Sequence, residues 1–171
     1  MFIEKNFKYS LYYVIIKNER EVFMKEYKQL GSYALIVENE KILLIRKNGG
    51  PYDGKLDLPG GTIEFCEKPS DALKRELMEE VGIEVKSYEL FDADSVALEW
   101  QFKEDVLVKV HHTGIFYKVE DYINEIKRKV TIDEVNDDSL GADFYDVATL
   151  AKKDLSAIAI MELEKLGYYL K

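Results

Sequence analysis

The stretch GTIEFCEKPSDALKRELMEEVGI, residues 61–83, constrains the fold of this chain more than any other part of its sequence. Proline is common in the first turn of a helix and glycine just after the last turn, so a helix is predicted from Pro69 to Val81, with Gly82 as its stop. Apolar residues recur every four positions along it, at Leu73, Leu77 and Val81. This spacing predicts a buried stripe that holds the helix against the rest of the fold.

The same predicted helix carries a group of acidic residues. Glu76, Glu79 and Glu80 fall three and four positions apart and so share one face, where like charges repel by roughly a few tenths of a kcal/mol per pair. A cation would offset this repulsion. Hard divalent cations prefer carboxylate oxygen, and Mg²⁺ uses a few carboxylates together with substrate phosphates. The spacing therefore predicts a divalent-cation site, with an acidic face that only contacts water as the alternative.

Residues 61–83 resemble the Nudix box, the signature of the Nudix hydrolase family, G-x5-E-x7-R-E-U-x-E-E-x-G-U with U apolar. Every specified position matches, at Gly61, Glu67, Arg75, Glu76, Leu77, Glu79, Glu80, Gly82 and Ile83. On ordinary composition such a match arises by chance at about one start site in 10¹⁰. The complete pattern makes a merely solvated acidic helix the weaker interpretation. The preceding LDLPGG, residues 56–61, also looks like the family.

The resemblance implies an α/β fold, the Nudix-like α/β/α sandwich with a mixed β-sheet. It also implies a hydrolase that uses Mg²⁺ or Mn²⁺ and water to split a phosphoanhydride bond in a nucleoside triphosphate or a nucleoside diphosphate derivative. The alternative is a Nudix-fold module that binds a nucleotide as a sensor without hydrolysing it. Such a module is expected to have lost box residues, and here all are present.

The resemblance also assigns expected roles within the site. The metal ligands it implies are the carbonyl of Gly60 and the carboxylates of Glu76, Glu79 and Glu80. Arg75 is expected to fix these carboxylates by ion pairing rather than to contact substrate, with Glu67 as its partner. Many family members supply a further carboxylate from a later loop, for which Glu134 and Asp138 are the candidates here. The general base stays open between a box glutamate and that loop.

Ahead of the box, the sequence predicts strands and one ligand-binding loop. Residues 1–30 form an N-terminal extension in which YSLYYVII, a polar break and EVFMKEY predict a β-hairpin, which could cover a sheet edge or a partner subunit in a homodimer. The apolar runs 32–37 and 41–47 predict paired core strands. The Gly- and Pro-rich loop 48–55 can wrap a ligand, with Arg46 as a phosphate contact and Tyr52 as a stacking residue. A strand-end charge and a plain loop aromatic are the alternatives.

Beyond the box, residues 85–97 and 106–117 predict strands, and Ser156 to Leu166 predicts a last helix that ends at Gly167. Trp100 and Phe102 are further aromatic candidates for contact with a base. His111 and His112 are adjacent, so in a strand they point to opposite faces. They therefore suit one exposed and one hydrogen-bonded histidine better than a shared metal site.

Length and composition bound the other expectations. A chain of 171 residues suits a single domain, 1–171, and it lacks both an 18-residue apolar run and a signal peptide, so a cytoplasmic protein without membrane contact is expected. A net charge of −9 argues against binding of long nucleic acid, whereas a small nucleotide at a metal site is compatible with it. The single cysteine, Cys66, suits a reducing compartment and is predicted to be a packing residue.

Overall fold

The computed structural model describes residues 10–15, 22–123, 126 and 139–171. The strands are β1 Ser10–Ile15, β2 Val22–Leu35, β3 Val37–Glu38, β4 Lys41–Lys47, β5 Leu56–Asp57, β6 Gly60–Thr62, β7 Glu84–Lys103, β8 Val106–Ile123 and β9 Ser139–Asp146. The helices are α1 Pro69–Glu76, which continues as a π-helical turn Leu77–Val81, and α2 Ala157–Lys165. Three short 3₁₀ turns span Gly50–Tyr52, Val147–Thr149 and Lys152–Asp154.

The strands form two sheets. The first has the order β1-β2-β8-β7, with β6 also paired to β2, and the second has the order β3-β4-β5, with β9 paired to β4. The pairing of β2 with β8 is parallel, and the other ladders of the described strands are antiparallel. This mixture confirms the predicted mixed sheet.

Both faces of the central strands are buried, because their side chains alternate between two apolar cores. On one side Leu35, Ile42 and Leu44 pack with Ile158 and Leu163 of α2. On the other side the strand residues Ala34, Ile36, Leu43 and Ile45 pack with the α1 stripe of Leu73, Leu77 and Val81. The two helices therefore cover opposite faces of the strands, which confirms the α/β/α sandwich.

The predicted pairing of residues 32–37 with 41–47 is correct only near the turn between them. Val37 pairs with Ile42, and the Leu43 amide donates to the Ile36 carbonyl over 2.9 Å. Residues before Ile36 belong instead to β2, whose main partner is the parallel strand β8. A hairpin has a local turn signal, whereas a parallel partner far along the chain has none.

At the N-terminus, β1 and β2 pair antiparallel, from Ser10 opposite Tyr27 to Ile15 opposite Val22. This register is that of a hairpin and places β1 at the edge of the first sheet. The single-domain boundaries and the homodimer stay predictions. Among the described residues, no helix combines the length and the apolar character needed to cross a membrane.

Candidate active site

A cleft of about 1290 Å³ lies where the first sheet, the β5–β6 turn and the end of α1 meet. Its acidic lining residues are Asp57, Glu64, Glu76, Glu79 and Glu80. Its aromatic lining residues include Tyr33, Tyr52, Trp100, Phe102 and His112. The three box glutamates and the three aromatic residues singled out in the sequence thus share one cavity.

The Gly60–Gly61 turn brings backbone directly against the box carboxylates. Gly60 has φ 134°, and a Cβ on it would fall 2.2 Å from the Ser32 carbonyl oxygen, so no other residue fits without moving β2. A Cβ on Gly61 would fall 2.6 Å from Cδ of Glu76. The Gly60 amide donates to Oε2 of Glu80 over 2.9 Å. The two glycines are therefore required for the close contact of this turn with both glutamates.

The predicted helix from Pro69 to Val81 is present, but its last turn is wider than an α-helix. Residues Leu77–Val81 are π-helical, and the Gly82 amide closes the turn by donating to the Leu77 carbonyl over 2.9 Å. In this turn Glu80 is buried, with 6% of its surface exposed, while the Glu79 side chain is 58% exposed. The Glu80 carboxylate is thus buried in the cleft wall, whereas the Glu79 carboxylate is exposed to a ligand in the cleft.

Burial favours the protonated form of two box glutamates, Glu80 and Glu76. It raises the pKa of Glu80 to about 8, although Lys47 and the Gly60 amide act in the opposite direction. Burial also raises the pKa of Glu76, against the hydrogen bond from Arg75. A carboxylate in such a place gains a great deal from a cation that replaces its proton.

Arg75 fastens the loop before α1 to the acidic face. Its guanidinium pairs in a bidentate manner with Glu67, Nε to Oε1 at 2.9 Å and Nη2 to Oε2 at 3.0 Å, and this bond lowers the pKa of the Glu67 carboxyl. Its Nη1 donates to Glu76 at 2.7 Å and to Glu79 at 3.3 Å, and its Nη2 donates to the Thr62 carbonyl at 3.0 Å. With its donors used in this way, Arg75 is well placed to orient the carboxylates.

Residues 28–159, well over half of the chain, match the family model described as NUDIX domain. The chain belongs to the NUDIX family. It is 37% identical over 89 residues to the 8-oxo-dGTP diphosphatase of Escherichia coli (strain K12), a match that covers 52% of this chain and 62% of that relative. It is 30% identical over 118 residues to the ADP-ribose pyrophosphatase of Methanocaldococcus jannaschii, which covers 69% of this chain and 62% of the relative. The chain therefore spans less than two thirds of the length of each of these two proteins.

Solved structures support the same fold. The crystal structure of a MutT NUDIX hydrolase from Burkholderia pseudomallei superposes with a TM-score of 0.64 at 24% identity, covering 81% of this chain and 98% of the other. At this level of identity the likeness establishes the NUDIX fold alone.

The NUDIX cleft contains Lys47 where the sequence suggested Arg46. Arg46 donates from Nη1 to the Gly54 carbonyl over 2.8 Å and so closes the loop after β4. Lys47, the next residue, lines the cleft, and its charge opposes the burial that raises the pKa of Glu80 and Asp57. Arg46 is not among the described lining residues of the cleft, and the phosphate contact predicted for it stays a prediction.

Asp57 is a cleft residue that the sequence analysis missed. It is buried, and its Oδ1 accepts hydrogen bonds from the Leu58 amide at 2.8 Å and from the hydroxyl of Ser156, the N-cap of α2. Burial raises the pKa of this carboxyl. The signal in the sequence was an aspartate between two leucines, Leu56 and Leu58. An aspartate is rarely buried unless it is paired, so its place in an apolar run indicated a specific partner or role.

His111 and His112 lie on opposite faces of β8, as predicted. His111 is exposed, whereas His112 is 1% exposed and contacts two tyrosine hydroxyls, Tyr33 through Nε2 at 2.6 Å and Tyr52 through Nδ1 at 3.2 Å. Burial lowers the pKa of His112 to about 4. The imidazole is therefore neutral at physiological pH.

Because His112 is buried in its neutral form, the folded protein is expected to lose stability in acid. Unfolded protein takes up a proton on this histidine near its ordinary pKa of 6.5, whereas the folded protein excludes it until about pH 4, so folding stability falls as pH falls through this window. The full effect is about 3 kcal/mol. Urea unfolding is expected to show that the wild type loses about 2 kcal/mol more stability than His112→Gln between pH 7 and pH 4.5, because groups that titrate in both proteins, such as Glu80, cancel in this difference. His111→Gln, the matched control, should behave as the wild type; equal losses in all three proteins would contradict the assignment.

Two other expectations concern Cys66 and a further carboxylate from a later loop. The prediction that Cys66 packs in the interior is wrong, because Cys66 is exposed in a loop with φ 64°. A positive φ at this position turns the chain toward α1 and carries the side chain out of the core. Glu134 and Asp138 lie outside the described residues, so the further loop carboxylate stays a prediction.

The box carboxylates suit a hard cation by their chemistry. Glu76, Glu79 and Glu80 offer oxygen donors in a cleft where neither a thiol nor a pair of imidazoles competes. Among the described residues, no three His, Cys, Asp or Glu side chains already form a metal-binding group. Glu80 and Glu76 each use an oxygen for a bond within the protein. Such an incomplete set fits an ion whose coordination is completed by substrate phosphates.

Proposed function

We propose that this NUDIX protein hydrolyses a phosphoanhydride bond in a nucleoside triphosphate or a nucleoside diphosphate derivative, using water and Mg²⁺ or Mn²⁺. The observation that carries the proposal is that Glu76, Glu79 and Glu80 line the same cleft as Lys47 and a wall of aromatic side chains. The acidic end suits a metal-bound diphosphate, and the aromatic end suits a nucleoside. The two relatives described above, an 8-oxo-dGTP diphosphatase and an ADP-ribose pyrophosphatase by name, represent the two substrate classes.

Within this proposal the residues have three separate roles. Glu76, Glu79, Glu80 and the Gly60 carbonyl hold the metal, which when bound neutralises charge on phosphate oxygens and lowers the pKa of water. Arg75 and Glu67 keep the acidic face in position through their bidentate pair. Lys47 contacts a phosphate oxygen that approaches the carboxylates.

The nucleoside end is assigned to the aromatic wall. Trp100 and Phe102 form an edge-to-face pair, with ring centroids 5.1 Å apart, and both rings are half-buried at the cleft. A base stacked on such a ring gains about 1–3 kcal/mol. Tyr52 has 6% of its surface exposed, which leaves little of its ring for stacking. The contribution of Tyr52 to substrate binding is therefore assigned to its hydroxyl group.

A hydrolysis screen tests the proposed function. The protein is incubated with Mg²⁺ and nucleoside triphosphates, oxidised deoxynucleotides, ADP-ribose, dinucleoside polyphosphates or nucleotide sugars, and released phosphate, pyrophosphate and nucleoside monophosphate are quantified. Turnover of at least one nucleotide is expected, and ¹⁸O-labelled water identifies the attacked phosphorus. Tight nucleotide binding without turnover would favour the silent sensor module. Cleavage confined to inositol or isoprenoid diphosphates would overturn the nucleotide assignment.

Tyr52→Ala is expected to raise KM for the nucleotide more than it lowers kcat. The residue lines the cleft but is not among the proposed metal ligands, and contacts with non-reacting parts of a substrate stabilise the bound substrate and the transition state alike. Steady-state kinetics on the best substrate of the screen gives both constants. A loss in kcat with KM unchanged would place Tyr52 in the chemistry instead, and unchanged kinetics would remove it from the site.

A further inference from the structure

Four side chains of the cleft wall form one hydrogen-bonded chain. Nε2 of Gln29 donates to the Tyr33 hydroxyl over 3.3 Å, the same hydroxyl lies 2.6 Å from Nε2 of His112, and Nδ1 of His112 lies 3.2 Å from the Tyr52 hydroxyl. All four residues line the cleft that contains the box glutamates. Tyr33 and His112 are buried, and the His112 ring lies edge-on to Tyr33 and tilted against Tyr52.

The Gln29 amide sets one direction for the chain. Its NH₂ group donates to the Tyr33 hydroxyl, and the proton of that hydroxyl is then directed at its other described partner, Nε2 of His112. A neutral imidazole has one acceptor nitrogen and one N–H, and burial keeps this one neutral by lowering its pKa to about 4. In this direction Nδ1 of His112 holds the ring proton and donates a hydrogen bond to the Tyr52 hydroxyl, 3.2 Å away.

Among the described residues, His112 is the hydrogen-bond partner of the Tyr52 hydroxyl. When His112 donates in this pair, the proton of the Tyr52 hydroxyl remains available for a further acceptor. The residue lines the cleft while being largely buried. A buried donor without an acceptor is costly, and a bound ligand that supplies an acceptor removes this cost.

We propose that the Tyr52 hydroxyl is a specificity-determining donor to an acceptor atom on the nucleoside part of the substrate, and that Gln29, Tyr33 and His112 are positioning residues that fix its direction. The inference rests on the proposed nucleotide hydrolysis. The diphosphate is assigned to the box glutamates and Lys47, so the acceptor for Tyr52 is assigned to the nucleoside. It is a carbonyl oxygen or ring nitrogen of the base, or an oxygen of the sugar.

Tyr52→Phe is the decisive variant, because it retains the ring and removes only the hydroxyl. KM for the best nucleotide is expected to rise about tenfold with kcat within about twofold of the wild type, as for one lost hydrogen bond to a polar ligand. A rise confined to some bases places the acceptor on the base, and an equal rise for all bases places it on the sugar. Tyr169→Phe removes the same group from a tyrosine that is 97% exposed and outside the cleft, and its kinetics should equal those of the wild type.

The direction of the chain has its own readout, which needs no substrate. Nitrogen NMR of the histidine side chains at pH 7 is expected to show His112 protonated on Nδ1, and Tyr33→Phe is expected to abolish this preference because Nε2 loses its donor. Thermal unfolding checks that both variants fold. A wild-type His112 protonated on Nε2, or an unchanged KM in Tyr52→Phe with nucleotide turnover intact, overturns the inference while the proposed function stands. Absence of nucleotide turnover in the wild type overturns the proposed function, and with it the ligand assigned to Tyr52, even where the Nδ1 proton is observed.

Discussion

Glu80→Gln is expected to lower turnover roughly 100-fold or more while the protein stays folded. Glu80 is the most buried of the box glutamates and accepts a hydrogen bond from the Gly60 amide at 2.9 Å. Glutamine can accept the same bond through its amide oxygen but provides no negative charge for a metal. The substitution therefore removes the electrostatic role and leaves the local geometry in place.

The stability of Glu80→Gln separates a site defect from a folding defect. In the absence of metal the variant is expected to be at least as stable as the wild type, because burial raises the Glu80 pKa to about 8 and ionisation of that carboxyl opposes folding. Turnover and the thermal midpoint are measured together. Glu162→Gln is a matched control, since Glu162 is also buried with a pKa raised by burial, but lies on α2 outside the cleft. Near wild-type turnover in Glu80→Gln, or an equal loss in Glu162→Gln, would remove Glu80 from the metal site.

The part of the site that depends on local spacing could be predicted from the sequence. The helix over residues 69–81, its buried stripe and the pairing of Glu67 with Arg75 all follow from offsets within one segment, and the structure contains each of them. The opposite orientations of His111 and His112 follow from the period of a strand. In each case a fixed repeat converts sequence distance into a direction in space.

The rest of the site depends on contacts between segments that are distant in sequence. Strand alternation decides which of two adjacent cations, Arg46 or Lys47, faces the cleft, and the β4–β9 ladder also shifts register between Ile45 and Lys47. The burial of Asp57 depends on Ser156, which is reached only when α2 docks. The π-helical turn is set by tertiary packing around Leu77 rather than by helix propensity. The register shift, the contact with Ser156 and the π-helical turn have no periodic signature in the chain.

Removal of divalent metal is expected to abolish turnover, and its return to restore it. Excess EDTA should reduce hydrolysis to background, and Mg²⁺ or Mn²⁺ added beyond the chelator should recover it, whereas Zn²⁺ should do so poorly. The reason is the proposed donor set of glutamate carboxylates and a backbone carbonyl oxygen, ligands that favour hard cations over those that prefer nitrogen or sulfur. Full turnover in excess chelator would contradict the proposed metal site.

Metal affinity in the absence of nucleotide provides a sharper form of the same prediction. Calorimetry is expected to detect weak Mg²⁺ binding to the free protein, because Glu76 is held by Arg75, Glu80 by the Gly60 amide, and Glu79 is the exposed carboxylate of the three. Substrate phosphates supply the missing oxygens, so binding should tighten when a slowly hydrolysed nucleotide analogue is present. Tight Mg²⁺ binding to the free protein, unchanged by the analogue, would mean that the protein alone completes the coordination sphere, with residues beyond the box among the ligands.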